Sequence, residues 1–556
     1  MGFFAISEAE GPRAMMLRLF GLAAALGVGY VFARMIQERM KFRKLQRQGV
    51  LTSHLPKDGS FLYYPQAIVD NWETLFPGRT SCPSAIYADM WPMGPPLVFT
   101  VHTEAASHFM FDNSVPRSDW TKKALAPITE ARDLACLVGE PWKTWRARFN
   151  PSFSNKNVLS LVPGMLEDVQ IFADIVRNKA GADGSWGGVF PLVETTTNLT
   201  MDIIGRAVLD IELHEQTNGP SRFRSALMDQ IARCILHFNI ITVWKWYSPW
   251  RLAAIKENRE TMYSELLPSI EQSLQGTKKK DGLKTIIELA LKPMAGVVDV
   301  DKLFLETVVS QLKIFMFAGH DTTATALCWA IHCIAKNPEV GQKLRAEHDE
   351  VFGKDPADAI EKIRESPHLL NSLLYTNGVI KEALRLFPGP PVIRDGQPHY
   401  RITDSITGEQ YPTGGFLIWD GLRSQSRNEN LWPRGNEVVP ERWMTTDPED
   451  PLYPKKHGWR IFGLGSRACI GQELAVIEMK LVLVFLARNF DIDCAWDEWD
   501  ALNLLNDDRG TDTVRRGNTT GPKVLVEGDR CYQLDQGTPQ IADDMPVHVK
   551  LRQKSD

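Results

Sequence analysis

Residues 462–471 read FGLGSRACIG, and this stretch decides the fold. Gly463 and Gly465 permit a tight loop whose backbone approaches a flat ligand closely. Cys469 then opens an apolar run, Ile470 to Asn489, that predicts a helix. A helix N-terminus carries free N–H groups and partial positive charge, and both stabilise a thiolate. Taken alone, a cysteine beside isoleucine is usually a small buried apolar residue. The FxxGxRxCxG spacing points instead to a ligating sulfur.

Four more patterned stretches lie upstream. Pro440-Glu441-Arg442-Trp443 precedes the loop. Glu382-Ala-Leu-Arg385 places acid and base at i,i+3 on one helix face, and Leu386-Phe387-Pro388 follows. Ala318-Gly319-His320-Asp321-Thr322-Thr323 lies inside a long helical run, Asp301 to Lys336, which Asn337-Pro338 stops. At ~1.5 Å per residue the run spans about 50 Å. A mid-helix glycine costs ~1 kcal/mol relative to alanine, and two threonines in a row do not help. A purely structural helix has little reason for this segment. His320 beside Asp321 suggests a metal, but no HxxxH or HxxE spacing accompanies them. Trp142 and Arg146 form WxxxR, one turn apart on one face.

These stretches, in this order, resemble the cytochrome P450 family over roughly residues 50–500. FGLGSRACIG matches the family's haem-binding loop at every defining position. The resemblance implies haem b (iron protoporphyrin) with Cys469 as axial ligand of the iron. Thiolate ligation pushes electron density onto the iron and favours O–O cleavage. It further implies that Phe462 packs near the sulfur, that Arg467 pairs with a haem propionate and that Gly471 lets the helix lie close to the ring. Trp142 and Arg146 would face a propionate, with Arg394 a further contact. Glu382, Arg385 and Arg442 would form a structural triad serving fold and haem retention. Gly319 would make room over the iron, while Asp321 and Thr322 handle protons. Substrate would meet the 110–128 region, Phe317, and Pro391 to Ile393.

The implied activity is a monooxygenase that inserts one atom of O2 into a small organic substrate. No GxGxxG follows a strand, so the electrons come from a partner, an NADPH–cytochrome reductase. Lys143, Arg148, Lys455, Lys456 and Arg460 are candidate docking cations. Two rivals on the same fold are an isomerase or dehydratase that rearranges peroxides and a non-catalytic haem-binding protein. The intact Asp321-Thr322 pair weighs against both. The chain departs from the family in PERW for PERF, in lacking a clean proline hinge, and in a polar tail from about Asn506 with Arg509, Asp512, Arg515 and Arg516. The tryptophan-rich sequence and this tail look most like fungal secondary-metabolism members, including those that oxidise polycyclic aromatic polyketides such as versicolorins.

The 556 residues are 44% hydrophobic and 24% charged, ordinary for a globular chain. A net charge of −5 makes no case for nucleic acid. Eight cysteines without a CxxC pair argue against a disulfide framework or a zinc ribbon. No linker or repeat divides the chain. The expected fold is mainly α: one large helical domain with small β-sheets over 49–556, and an N-terminal membrane helix with its basic flank over 1–48. Strands are expected to be few and late, at Phe490–Trp496, Lys523–Glu527 and Val547–Leu551, with a turn at Tyr411–Gly415. Gly181–Gly188 and Gly276–Gly282 read as loops.

The anchor is Leu17 to Ile36. Its apolar core, Leu19 to Ala33, rises about 22 Å, short of the ~30 Å hydrocarbon layer unless Met15, Met16 and Leu17 extend it. Arg18 and Arg34 can snorkel to the interfaces. Arg34, Arg39, Lys41, Arg43, Lys44 and Arg47 follow, against Glu38 alone. The positive-inside rule then predicts a single-pass protein of the endoplasmic reticulum with a cytoplasmic catalytic domain. The glycosylation patterns at Asn198 and Asn518 are accordingly expected to stay unmodified.

Overall fold

The computed structural model describes residues 12–47, 52–54, 72, 81–89, 95–234, 248–275, 285–297, 300–507, 528–535 and 539–552. The helices that matter most are α1 (Pro12–Arg47), α2 (Gly139–Phe149), α3 (Asn155–Lys179), α4 (Leu192–Leu209), α5 (Lys302–Lys336), α6 (Pro338–Phe352), α7 (Leu374–Leu386) and α8 (Gln472–Asn489). The expected long helix is α5. Asp301 caps it, its Oδ2 accepting the Phe304 N–H at 3.3 Å. It ends at Asn337, whose φ of −131° and ψ of 82° are non-helical, because Pro338 disfavours a helical residue before it.

Apolar side chains ring α5, and a helix apolar on every side belongs in the interior. It runs through one core with α3, α4, α7 and α8, where Val162, Leu199, Leu312, Ile380 and Leu481 are all buried. Each such side chain contributes about 1.5–3 kcal/mol by leaving water. The most extensive helix–helix contact is between α5 and α4.

The strands correct the expectation that sheet structure comes late. A five-stranded sheet runs in the order Thr52–His54, Ala85–Asp89, Leu97–Thr100, Leu417–Asp420, Ile393–Asp395. Three of its strands precede residue 101. They are short, and Leu97–Thr100 is buried at every position, so it shows no alternation to read. Phe99 stands opposite Trp419, and Arg394 opposite Ile418. That pairing fixes Arg394 beside the core.

Phe490–Cys494 is a strand as expected, but Trp496 already opens a helix, Trp496–Asp507. Pro546–Leu551 pairs with Phe490–Cys494 and with Phe190–Pro191, so the end of the chain closes onto its middle. Gln533–Asp535 and Pro539–Ile541 form an antiparallel pair. Gly276–Gly282, Arg509–Arg516, Asn518 and Lys523–Glu527 lie outside the described residues.

Helix α1 continues well past the expected span and leaves Leu19, Phe20, Leu22, Leu26 and Val31 exposed. Among the described residues no helix is long and apolar enough to cross a membrane. Asn198 lies within α4 and its side chain accepts from Arg224. A half-buried helical asparagine held this way is a poor glycosylation acceptor on either side of a membrane, so its state does not report orientation.

Candidate active site

The Cys469 loop takes the shape its glycines allow. Gly463 and Gly465 sit at φ of 72° and 71°, in the left-handed region. The Cys469 N–H donates to Phe462 O at 2.7 Å, which closes the loop on Phe462. Helix α8 begins at Gln472, three residues beyond the sulfur. Burial pushes the Cys469 thiol up; the N–H groups of Gly471 and Gln472, with Arg146 and Arg117, pull it back down. Cys469 is nevertheless an exposed residue. A sulfur deep in the protein with open surface faces an internal hollow. A Cβ at Gly471 would meet only Cys469 Sγ, at 4.0 Å, so the hollow extends past Gly471.

Four arginines converge on the same hollow. Arg394 stands on its strand and bridges to Arg117. Burial, then Arg117 and Arg467, push Arg394 down to about 9. Burial, then Arg117 and Arg146, push Arg467 down to about 10. Burial lowers Arg117 and Arg146 too, with Cys469 opposing in both. Arg394 Nη1 and Arg117 Nε are buried without a protein partner. Among the described residues, Asp133 is the carboxylate that acts on this group, through Arg117. Buried cations that repel one another are costly unless an anion completes them. A flat ligand with two carboxylates, lying against the sulfur, fits this donor set; haem b is such a ligand. Arg117 lies in the 110–128 region expected to meet substrate, and Pro116-Arg117 stands in no motif that marks its place among the arginines. The Arg467 guanidinium lies 3.7 Å from the Trp142 ring centre, and its Nη1 donates to Leu137 O at 2.9 Å. Trp142 thus holds Arg467.

The expected triad assembles. Arg385 donates from Nε and Nη2 to the two Glu382 oxygens at 2.9 and 2.8 Å. Arg442 Nε lies 3.0 Å from Glu382 Oε1, and all three side chains are buried. The tryptophan that departs from PERF is explained here: Trp443 Nε1 donates to Glu382 Oε1 at 3.0 Å, a bond phenylalanine lacks.

On α5, Ala318 is exposed and Thr322 part-exposed one turn later, although most of the helix between 307 and 333 is buried. This face borders open space. Thr322 Oγ1 donates to Ala318 O at 2.7 Å. Gly319 corrects the expectation. A Cβ there would lie 2.7 Å from Ile204 Cδ1, so this glycine admits α4 rather than making room above a cofactor. His320 is buried, with Nδ1 2.7 Å from Met316 O. Asp321 accepts from Gln540 Nε2 at 2.9 and 3.0 Å. Gln540 went unread, since the tail carried no recognisable pattern.

Of the docking cations, Arg460 is overturned. It is buried, and it donates to both Asp420 oxygens at 3.1 and 2.7 Å. Arg148 is half-buried, its guanidinium 5.0 and 5.1 Å from the centres of the stacked Trp145 and Phe304 rings. Lys143 is paired with Glu140 at 2.5 Å. Lys455 and Lys456 are exposed. A separate cleft of about 360 Å³, lined by His332, Lys336, Arg427 and Asp529 among others, touches neither Cys469 nor Thr322.

A mainly helical fold with a cysteine loop and an arginine-lined hollow defines a haem-thiolate protein. The family model described as Cytochrome P450 matches residues 86–504. The chain is 34% identical to the cytochrome P450 monooxygenase polC of Polytolypa hystricis, over 95% of this chain and 94% of that one. It is 27% identical to the cytochrome P450 monooxygenase acrF of Aspergillus aculeatus, over 90% and 99%. A crystal structure of a cytochrome P450, CYP102L1, superposes with a TM-score of 0.67 at 18% identity, covering 89% of this chain and 99% of that one. The chain therefore belongs to the cytochrome P450 family. It is a monooxygenase that binds haem b through a cysteine thiolate and uses O2, a small substrate and a redox partner.

Proposed function

We propose that Cys469 would hold the haem iron as a thiolate, that Arg117, Arg146, Arg394 and Arg467 with Trp142 would hold the two propionates, and that Asp321 and Thr322 handle protons. The observation that carries this is the set of mutually repelling arginines around an open sulfur deep in the protein. When bound, haem b would supply the iron chemistry that puts one atom of O2 into the substrate, with two electrons from the redox partner and two protons taking the other to water.

The chain's residues do the rest. Burial pushes the Cys469 thiol up, and the N–H groups of Gly471 and Gln472 with Arg146 and Arg117 work against that push, toward the thiolate. Phe462 anchors the loop that carries the sulfur. The Glu382–Arg385–Arg442 triad holds the connecting chain around the site. Arg385 Nη1 donates to Ser426 O and Gly435 O, both at 2.6 Å. The Thr322 hydroxyl donates its hydrogen bond to Ala318 O and so turns lone pairs to the open side, where it accepts. Asp321 beside it is a carboxylate that can carry a proton inward, and positioned proton transfer typically contributes ~10²–10⁴-fold.

The substrate class we infer is a small apolar or polycyclic secondary metabolite. The supporting observations are the fungal relatives named above. The electron donor is an NADPH–cytochrome reductase. The exposed apolar residues of α1 and the basic run after them support a single-pass anchor in the endoplasmic reticulum, residues 1–48, with the domain of residues 49–556 in the cytoplasm.

Replacing Cys469 by Ala tests the central assignment. The reduced carbon-monoxide complex loses the red-shifted Soret band of thiolate ligation, even where some pigment remains. Survival of that band in the variant overturns it.

A further inference from the structure

The C-terminal segment meets α5 at the residue assigned to carry protons. One amide nitrogen, Gln540 Nε2, lies 2.9 Å from Asp321 Oδ1 and 3.0 Å from Oδ2, so it straddles both carboxylate oxygens. The strand that supplies it is held independently. Gln540 stands opposite Leu534, and Pro539 and Ile541 on either side are buried. In the partner strand, Gln533 Nε2 donates to Pro388 O at 3.0 Å and its Oε1 accepts from Arg423. The amide therefore reaches Asp321 from a fixed base, not from a floating tail.

We propose that Gln540 is a positioning residue for Asp321: it holds the carboxylate in the orientation from which protons pass to the oxygen site. The inference rests on the reading of Asp321 as the proton carrier. Its physical basis is the choice of donor. Hydrogen bonds to an ionised acceptor are among the stronger ones, so this contact sets the carboxylate's rotamer. A lysine or arginine at the same place would also hold it, but a nearby cation strongly favours the charged form. A neutral amide orients the group without adding a charge of its own. The contact also ties proton delivery to the C-terminal hairpin, which closes late in the sequence and packs against α5.

The test uses the holoenzyme with an NADPH–cytochrome reductase and O2 alone, so no substrate need be known. Three variants are compared with wild type: Gln540→Leu, Asp321→Ala and the double. The first readout is made without turnover, as deuterium uptake at the Gln540 and Ile541 amides in the resting enzyme. Each single variant speeds exchange there about tenfold, as loss of a charge-assisted hydrogen bond requires. The double adds nothing further, because both changes remove one interaction. The second readout is the solvent isotope effect on NADPH oxidation, with hydrogen peroxide formed per NADPH. Gln540→Leu shifts both in the direction of Asp321→Ala, while the carbon-monoxide spectrum stays that of wild type. Additive exchange in the double, or a wild-type isotope effect in Gln540→Leu beside an altered one in Asp321→Ala, overturns the role of Gln540 alone. A wild-type isotope effect in Asp321→Ala removes the proton-carrier reading and this inference with it.

Discussion

Thr322 and Asp321 divide the handling of protons between a hydroxyl and a carboxylate. The hydroxyl is already committed as a donor to Ala318 O, so its use to the site is as an acceptor. Thr322→Val keeps the β-branched shape and removes that acceptor. The variant still binds haem and consumes NADPH, but product per NADPH falls by about tenfold or more and hydrogen peroxide replaces it. Wild-type yield per NADPH would mean that another group does this work. Asp321→Asn instead slows turnover, because a proton carrier is gone. Glu382 shows a second division of labour. It accepts from Arg385, from the Val439 N–H at 2.9 Å and from Trp443, and it faces Arg442. Trp443→Phe removes one donor of several and costs about 1 kcal/mol. Glu382→Ala strands two buried guanidinium groups and costs about 3–5 kcal/mol, with loss of haem. Thermal unfolding of the two variants should separate them clearly; equal shifts would count against the triad as the anchor.

At the scale of elements, α4 and α5 lie close because Gly319 has no side chain. Gly319→Ala places a methyl 2.7 Å from Ile204 Cδ1 and 2.9 Å from Cγ1. The overpacking costs about 1–3 kcal/mol. Ile204→Val removes the nearer of those two atoms and restores part of the loss, which unfolding of the double variant would measure. If Gly319 instead served the cofactor, the alanine would perturb the haem spectrum, and shortening Ile204 would not repair it. The same helix pair carries a buried polar stitch, the Thr200 hydroxyl donating to His320 O at 2.8 Å. These contacts fix the rotation of α5, and with it the face that turns Ala318 and Thr322 toward the hollow.

For the whole molecule, the charge that matters is local. A net charge of −5 gives no overall attraction for an anionic partner, but exposed lysines near the cysteine loop can supply it locally. Once Arg460 and Arg148 are found tied into the fold and Lys143 is found paired with Glu140, Lys455 and Lys456 are the exposed lysines without an acidic partner among the ion pairs named above. Reversing both to Glu slows the first electron transfer several-fold at low salt. The difference shrinks as ionic strength rises past about 0.1 M, where the Debye length is ~10 Å. Substrate-free spectra stay unchanged. Rates equal to wild type across the salt range would place the docking face elsewhere.

Cys469, its loop and its helix were legible from ten residues, because the glycines, the arginine and the sulfur act through local backbone geometry. The same holds for the Glu382–Arg385 pair, one turn apart on α7, and for α5, whose cap and terminator are adjacent in the chain. The short early strands were not legible: a strand of four buried residues carries no periodicity until its neighbours, hundreds of positions away, supply its pairing. Nor was the purpose of Gly319, since the atom it accommodates belongs to Ile204 on another helix. Trp443 looked like a departure until Glu382 appeared beside its indole nitrogen. Arg117 and Gln540 gain their significance only from what folding brings to them, repelling arginines in one case and a carboxylate 219 residues upstream in the other. Chemistry carried by neighbours along the chain can be read in order; chemistry made by long-range contact exists only after the helices have packed.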